Sequence, residues 1–513
     1  MLTSEIMDFI NEAEELFPVD KWEVDSLKIW PFIRIHLNFS IYAHHHVKVA
    51  TRPGRNKYFA AAIDILRDLH QFAYATYKDK KKCARLKQAD ALFYSDGVSF
   101  ASVDGSWYEK FCDPLISVLS DEGLSSLLIT PSTSYLIPRK TSSKFVQPGL
   151  NLAKIKGFLR SKFKSSLHCE LPQFQNFINY VDGKNLGISV PSAEKLIQLV
   201  FSIKQYILYY NKILDKVRPK IAAIVSYYSI EGMAFCLACR GNNIPCFDLQ
   251  HGLQGPLHVA YGRWNKLPQN GYGMLPSLFW CWRDADAAAI EQWSYTVESH
   301  HRPIVGGNPW LNLWLESTSE MVRRYDDVIH KAGAMYWDKK KILVTLQFGI
   351  DDKEKLKPIL EAIATADPSY FWWIRLHPCM LDKRKLIHDI FINCGNLNID
   401  ITVATDLPLF ALLRHTDVHV THSSSTVIEA ESFGVPSVIT SDYGAEFFKE
   451  QVASGWAVLV SDKVSVNQLV YHLLQHKPKQ SMDDTYFISP ATEYMLELAS
   501  NKLNITPANK QSN

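Results

Sequence analysis

From Ala89 onward, short apolar runs alternate with stretches of helical spacing, and each run predicts a strand and each stretch a helix. ADALFYSD (89–96) is the first predicted strand; a Gly- and Ser-rich loop and a helix near Trp107–Ser120 follow. LSSLLIT (124–130) predicts the second strand, and the rhythm then weakens to about Asn185, as an insertion would make it. A long helix is expected over Ala193–Arg218, then strand IAAIVSYY (221–228), helix SIEGMAFCLACRG, strand IPCFDLQ (244–250), strand LFWCW (278–282), helix DADAAAIEQW and strand RPIVGG (302–307).

The second half repeats the rhythm more cleanly. Expected strands are KKILVTLQF (340–348), YFWWIRLH (370–377), LNIDITV (397–403), DVHVTH (417–422), VPSVIT (435–440) and WAVLV; helices lie between them, among them LPLFALLRHT and GAEFFKEQVASG. Strands joined by helices of this length imply parallel sheets with crossover connections, so two Rossmann-like domains facing a cleft are expected. Ligands in such folds bind outside the carboxyl ends of the strands.

The predicted organisation is a helical N-terminal extension (1–88), an acceptor-side domain (89–305, with a candidate insertion at 131–190), a nucleotide-side domain (306–480) and a C-terminal helix and tail (481–513). In the extension, DKWEVDSLKIWPFIRIHLNFSIY reads as helix, turn and helix with an aromatic anchor. From Lys48 to Lys87 the chain turns basic, which fits a solvated helical face or a contact with anionic lipid head groups.

Composition narrows the function. The chain has 513 residues, 47% apolar and 21% charged, and suits two or three globular domains. A net charge of +2 makes no electrostatic case for nucleic acid. The nine cysteines lack paired metal-ligand spacing; Cys236 and Cys239 read as small buried residues of a helix, and free thiols fit a reducing compartment. The acidic, amphipathic start is unlike a signal peptide and no long apolar stretch follows, so a cytoplasmic protein is expected, with peripheral contact at the inner membrane face left open. No GxGxxG in dinucleotide context and no GxxxxGK[ST] is present, so nicotinamide and P-loop chemistry have no support.

Three motifs carry chemistry. Thr421-His-Ser-Ser-Ser-Thr426 lies between a predicted strand and helix, where free backbone N–H groups and the helix dipole favour phosphate. One Ser would cap the helix; the run Ser423, Ser424, Ser425 and Thr426 suggests phosphate binding. Glu429 either accepts from a ribose or simply favours the dipole, and for Glu431 the second explanation is preferred. Arg375-Leu-His377-Pro378 ends a strand, so His377 should reach the cleft and Pro378 fix the turn, while Arg375 fits phosphate contact or packing equally. Gln250-His251-Gly252 also ends a strand, with Gly252 permitting a sharp turn and His251 suited to general base work. Weaker signals are the hinge-like Gly306-Gly-Asn308-Pro309 and Gln347-Phe-Gly349, whose Gly349 loop is expected near donor phosphates.

The segment DVHVTHSSSTVIEAESFGVPSVIT resembles the donor-binding strand-helix-strand of GT-B glycosyltransferases, in the variant with consecutive serines seen in bacterial capsule and lipopolysaccharide enzymes such as sialyltransferases, polysialyltransferases, Kdo transferases and polyglycerol-phosphate transferases. The resemblance is convincing over 302–460, weaker over 89–300 and absent from the first 88 residues. It implies a GT-B fold and, for His377 with Pro378, contact with a cytidine nucleotide phosphate and assistance to the leaving group. Gln250, His251 and Gly252 resemble the acceptor-side motif of polymer transferases. The acidic base motif of the sialyltransferase-like families survives only in part, at Asp96-Gly97, Asp104-Gly105 and Glu231-Gly232, so Asp96 and Glu231 stand beside His251 as candidate bases.

The expected activity is therefore a single displacement from a nucleotide-activated sugar, CMP-linked in preference, onto a surface polysaccharide or lipid-linked glycan. No cofactor or metal is called for, because GT-B enzymes generally work without a metal and no Asp-x-Asp stands in a metal-binding context. The alternatives are a CDP-glycerol-type polyol-phosphate transferase, a UDP-GlcNAc 2-epimerase-like enzyme, whose relatives usually carry a Gly-rich turn in place of the serines, and an inactive assembly partner.

Overall fold

A computed structural model of the chain describes residues 3–46, 86–103, 105–131, 138–163, 167–252, 254–297, 300–315, 320–332, 336–347, 353–478 and 489–500. The basic stretch over 47–85, Asp104 and Gly349 lie outside the described residues.

Two parallel sheets organise the fold, as expected of the GT-B class. The first has seven strands in the order Arg302–Val305, Leu278–Cys281, Cys246–Leu249, Ile221–Val225, Ala91–Tyr94, Ser126–Thr130 and Ser143–Phe145. The second has six: Ile399–Asp400, Tyr370–Arg375, Lys340–Thr345, Val418–Thr421, Ser437–Ile439 and Ala457–Leu459. All the pairings in both are parallel. Ala91–Tyr94 and Ile221–Val225 are buried on both faces because helices cover both, which is why they read as unbroken hydrophobic runs.

The order in which strands are added reverses once in each sheet. In the first sheet the chain starts at Ala91–Tyr94, adds two strands on one side, and returns to place Ile221–Val225 on the other. In the second it starts at Lys340–Thr345, adds two strands on one side, and returns with Val418–Thr421. Each reversal opens a crevice at the strands' carboxyl ends.

Several elements differ from the sequence expectation. Trp107 does not begin a helix: Ser106–Glu109 pairs antiparallel with Phe100–Val103 in a hairpin, and the helix runs over Asp113–Asp121. Its cross-strand pairs include Ala101 with Tyr108 and Ser102 with Trp107, and large aromatics favour such a ladder. LNIDITV is extended only at Ile399–Asp400, because Thr402–Asp406 turns helical, with Asp400 accepting from the Ala404 N–H at 3.0 Å. GAEFFKEQVASG is two helices, Asp442–Phe447 and Lys449–Ala453, separated at Phe448. The weakly patterned region after Pro131 contributes the edge strand Ser143–Phe145 and the helices Gln147–Phe163 and Phe174–Gly183.

The extension has helices Thr3–Leu16 and Trp30–His46 around a small antiparallel strand pair, Glu23–Val24 with Leu27–Lys28. The aromatic anchor is present: Trp22 packs edge-on to Trp30 at 5.6 Å and to Phe177 at 4.9 Å, all fully buried. Beneath it, Arg34 and Glu14 form a buried ion pair with no exposed side-chain surface. Glu14 also accepts from Trp30 Nε1 and the Asn265 N–H, each at 2.7 Å, and Arg34 donates to the carbonyls of Val259, Gly262 and Arg263. A buried charge pair is tolerable when its remaining hydrogen-bonding capacity is filled, and here the filling groups belong to the 259–265 loop.

The two sheets are tied together at three places. The C-terminal helix Pro490–Ala499 returns to the first sheet, where Ala491, Met495 and Leu498 join the core of Phe93, Phe247 and Leu249. Val103 of the hairpin is buried with Trp310, Trp314, Leu343 and Phe371 of the second half. The Thr3 and Ser4 N–H groups, at the start of the first helix, donate to Glu446 at 3.1 and 3.0 Å. No helix among the described residues is long and apolar enough to cross a membrane.

Two core histidines make the fold acid-sensitive. His419 lies between Thr345 Oγ1 (2.8 Å) and Ser437 Oγ (3.0 Å), His301 holds the Pro276 carbonyl at 2.7 Å, and burial lowers both to a pKa of about 3. The folded state keeps them neutral while the unfolded chain protonates them below about pH 6.5, so each contributes stability that is present above that pH and lost as pH falls. Chemical denaturation between pH 7 and pH 5 should show a loss of about 2 kcal/mol per histidine. His301→Asn, which retains a donor for Pro276, should make the loss smaller by one such share; an unchanged slope would refute the assignment.

Candidate functional site

At the reversal of the second sheet, Gln347 follows the central strand and Ser423 follows its new neighbour. Gln347 Nε2 donates to Ser423 Oγ at 2.8 Å and Gln347 Oε1 accepts the Ser423 N–H at 3.2 Å, so one side chain bridges the crevice. Thr421 Oγ1 donates to the Thr345 carbonyl at 2.9 Å and accepts the Ser424 N–H at 3.2 Å. Ser424 Oγ lies 2.9 Å from Thr426 Oγ1, and the helix itself runs over Thr426–Ser432. Ser425 is its N-cap residue without a side-chain capping bond, which leaves that hydroxyl uncommitted to the helix. Behind the turn, the helix Asp442–Phe447 approaches so closely that a Cβ on Gly444 would meet the His422 carbonyl at 2.4 Å.

His377 and Pro378 stand one strand away, at the end of Tyr370–Arg375. His377 Nδ1 accepts the Cys379 N–H at 3.1 Å and Pro378 opens the short helix that follows, so the neutral ring carries its proton on Nε2, a donor. Burial lowers the pKa of His377, and the nearby charges of Lys110 and Arg375 lower it further. Arg375 turns away: its Nη1 donates to the carbonyls of Ala404 (2.7 Å) and Leu407 (2.5 Å), which matches the packing explanation of the residue. Burial raises Glu429 to a pKa of about 7 against the opposing pull of Lys110, and its Oε2 is buried with no partner among the described residues. Glu431 is held by the buried Gln451, whose Nε2 donates to it at 2.9 Å.

The reversal of the first sheet holds a cavity of about 280 Å³ lined by Tyr94, Asp96, Pro131, Gln147, Leu150, Val225, Ser226, Ser229 and Glu231. Both candidate acids are thus brought together there. Asp96 is partly engaged by its own turn, accepting from the Val98 and Ser99 N–H groups at 2.9 and 3.0 Å. Glu231 accepts from Tyr206 Oη at 3.2 Å in the first turn of the helix Ile230–Gly241.

His251 lies beyond the next strand. Its Nδ1 faces the Leu249 carbonyl at 3.4 Å and its Nε2 faces Tyr228 Oη at 3.1 Å, so Nε2 is the basic nitrogen. Burial lowers its pKa below the ordinary histidine value, while the charge of Asp96 works in the opposite direction. Asp248, fully buried, accepts from Tyr261 Oη (2.8 Å) and the Tyr227 N–H (3.1 Å), which holds the loop behind His251. Burial pushes its pKa up to about 8.

Two acceptor-side expectations need correction. Gln250 does not face the cleft: it is 1% exposed, with Oε1 accepting the Trp282 N–H at 2.5 Å and Nε2 donating to the Gly252 carbonyl (3.0 Å) and Asp286 (3.2 Å). Nor does Gly252 supply the sharp turn, since a Cβ there would meet open space and the left-handed backbone falls at Gly255, φ 119°. In the segment expected to be hinge-like, a Cβ on Gly306 would come within 2.0 Å of the Trp280 ring, whose Nε1 donates to the Gly307 carbonyl at 2.9 Å.

Sequence reasoning missed Glu109 and Lys110. Glu109 is fully buried, with Oε2 accepting the N–H groups of Phe111 (2.9 Å) and Cys112 and Oε1 accepting from Ser95 Oγ (3.3 Å); burial, with Asp96 nearby, raises its pKa to about 8. Lys110 follows it into the cleft. It interacts electrostatically with Asp96 and His251 of the first half and with Glu429, Arg375 and His377 of the second, which makes it the charge common to both crevices. Neither residue had a motif to reveal it.

No family model matches the sequence, and no curated protein matches it. Among solved structures, an S. aureus MnaA structure with UDP is similar at 14% identity and TM-score 0.47, over 82% of this chain and 97% of that one. The UDP-GlcNAc 2-epimerase from Neisseria meningitidis bound to UDP-GlcNAc is similar at 15% identity and TM-score 0.47, over 80% and 99%. The wall teichoic acid polymerase TagF with CDPG is similar at 12% identity and TM-score 0.46, over 86% and 95%. At this distance, what the chain does has to be read from its own residues.

The internal role of Gln250 is testable. Gln250→Ala leaves the Trp282 N–H and Asp286 without that partner in a buried place, so denaturant unfolding should show a loss of about 1–3 kcal/mol. Hydrogen exchange should quicken at Trp282. Wild-type stability and exchange in the variant would mean the amide is dispensable.

Proposed function

We propose that the protein is an inverting glycosyltransferase that moves a sugar from a nucleotide donor, CMP-activated in preference, to a glycan or lipid-linked acceptor without a bound metal. The observation that supports this most is the pair of crevices. One carries hydroxyls and a bridging amide with His377 beside them, and the other carries two carboxylates with a neutral imidazole nearby. The first set suits an anionic donor and the second suits sugar hydroxyls.

In this reading Ser423 to Thr426 and the loop N–H groups hold the donor phosphate, and Glu429, protonated or ionised near neutrality, meets the nucleoside. The acceptor hydroxyl displaces Tyr228 Oη from His251 Nε2 and loses its proton to that nitrogen as its oxygen attacks the anomeric carbon. The sugar–phosphate bond breaks and the bridging oxygen leaves with the electron pair. His377 donates from Nε2 toward the phosphate as that charge develops. Asp96 and Glu231 bind and orient the acceptor, or replace His251 as base.

The donor half is tested by a thermal-shift screen of CMP, CDP, UDP and GDP. CMP or CDP should raise the melting temperature, and the double variant Ser424→Ala, Ser425→Ala should abolish the rise; no shift with any nucleotide would remove the proposal. A shift with UDP alone, together with turnover of UDP-GlcNAc in the absence of acceptor, would instead select the epimerase reading.

The base is tested by rate against pH. A base whose pKa is lowered by burial stays active below the ordinary histidine value, so kcat/KM should hold level down to about pH 6.5 and fall only below it. His251→Ala should keep nucleotide binding and lose transfer. Full activity in that variant would move the role to Asp96 or Glu231, which the corresponding Asn and Gln variants would reveal.

A further inference from the structure

We infer that Lys110, a residue of the acceptor-side half, reaches across the cleft to bind the phosphate of the donor nucleotide. The inference rests on the nucleotide-donor reading above and adds a ligand that neither the serine run nor His377 supplies.

Lys110 leaves the hairpin of Phe100–Val103 and Ser106–Glu109, and its backbone is fixed by a 3.1 Å bond from its N–H to the Ser99 carbonyl. The hairpin is seated on the nucleotide-side half: Tyr108 packs on Trp310 at 4.9 Å and Tyr325 Oη donates to the Ser102 carbonyl at 3.5 Å. The residue therefore belongs to one half while its position is set by the other.

Its ammonium is unspent. Nζ lies 5.4 Å from the centre of the Phe111 ring, and among the described residues it makes no hydrogen bond and no ion pair. The adjacent carboxylate cannot serve it fully, because the Glu109 oxygens are already taken by Phe111, Cys112 and Ser95. Burial lowers the pKa of Lys110, the mark of a cation short of solvation, while Glu109, Glu429 and Asp96 favour its charged form. A half-buried ammonium without a partner is costly, and an arriving phosphate would repay that cost. The other strong cation nearby is unavailable, since Arg375 is turned into the carbonyls of Ala404 and Leu407. The flexible four-carbon stem of lysine suits a point contact across a cleft.

The role distinguishes binding the phosphate from binding the nucleoside, and the test uses that difference. Calorimetric titration of the full chain with CMP and with cytidine would be compared for wild type, Lys110→Met, which keeps the stem and removes the charge, and Lys110→Arg. Lys110→Met should weaken CMP by about 10-fold to 100-fold and leave any cytidine binding unchanged, with Lys110→Arg restoring most of the loss. Unliganded melting temperatures within a few degrees of wild type would show that the variants are folded. CMP affinity within about twofold of wild type in Lys110→Met would overturn the inference while leaving the donor reading intact. A wild-type protein that binds no nucleotide would overturn both.

Discussion

A parallel sheet whose strand order reverses cannot close over the carboxyl ends of the two strands at the reversal, because their crossover helices depart to opposite faces. This chain makes that opening twice, between Ala91–Tyr94 and Ile221–Val225 and between Lys340–Thr345 and Val418–Thr421. The polar residues that matter gather at these openings because the strands before them are buried along nearly their whole length. Asp96 and Ser226 follow the first pair, and Gln347 and Ser423 follow the second. The Gln347–Ser423 bridge shows the constraint directly, since two residues 76 apart in sequence meet only because Ile342 to Thr345 runs in register with Val418 to Thr421.

The electrostatics of the cleft follow from its depth. Burial raises Glu109 and Glu429 toward neutrality and lowers Lys110, His251 and His377, so one cause moves acids and bases in opposite directions. The result is a cleft in which burial disfavours the charged form of acids and bases alike. A phosphate entering it would favour the protonated forms of Lys110 and His377. Interactions made in such a place are stronger than the same ones in water, and the fixed dipoles need no reorganisation as charge develops.

Much of this architecture was legible because it is local. Unbroken runs such as IAAIV and FWWI announce strands covered on both faces, and the serine run announces an unusual turn whatever surrounds it. The errors arose where neighbours elsewhere decide. Trp107 and Tyr108 form a ladder because Ala101 and Ser102 lie opposite, which a helical reading of the segment could not anticipate. Gln250 looked like a cleft residue because it stands beside His251, yet its partners, Trp282 and Asp286, lie on another segment. Lys110 had no signature, because its importance comes from charged or ionisable neighbours drawn from both halves, six in all: Asp96, Glu109, His251, Arg375, His377 and Glu429.

The extension, for which sequence offered no resemblance, turns out to be coupled to both crevices. Arg34 and Glu14 bind the 259–265 loop, the same loop whose Tyr261 holds Asp248 behind His251. The helix that carries Glu14 begins at Thr3, whose N–H group is taken by Glu446 in the half that holds the serines. Glu446 belongs to Asp442–Phe447, the helix whose Gly444 rests on the His422 carbonyl. One helix of 14 residues thus joins the 259–265 loop of the first half through Glu14 and Glu446 of the second half through its first amides. Any hinge motion between the sheets must either carry Glu446 along with Thr3 and Ser4 or release two charge-assisted hydrogen bonds from a helix start that has no other acceptor for them among the described residues. The extension is therefore bonded to both sides of the cleft, and the buried Arg34–Glu14 pair lies within that linkage.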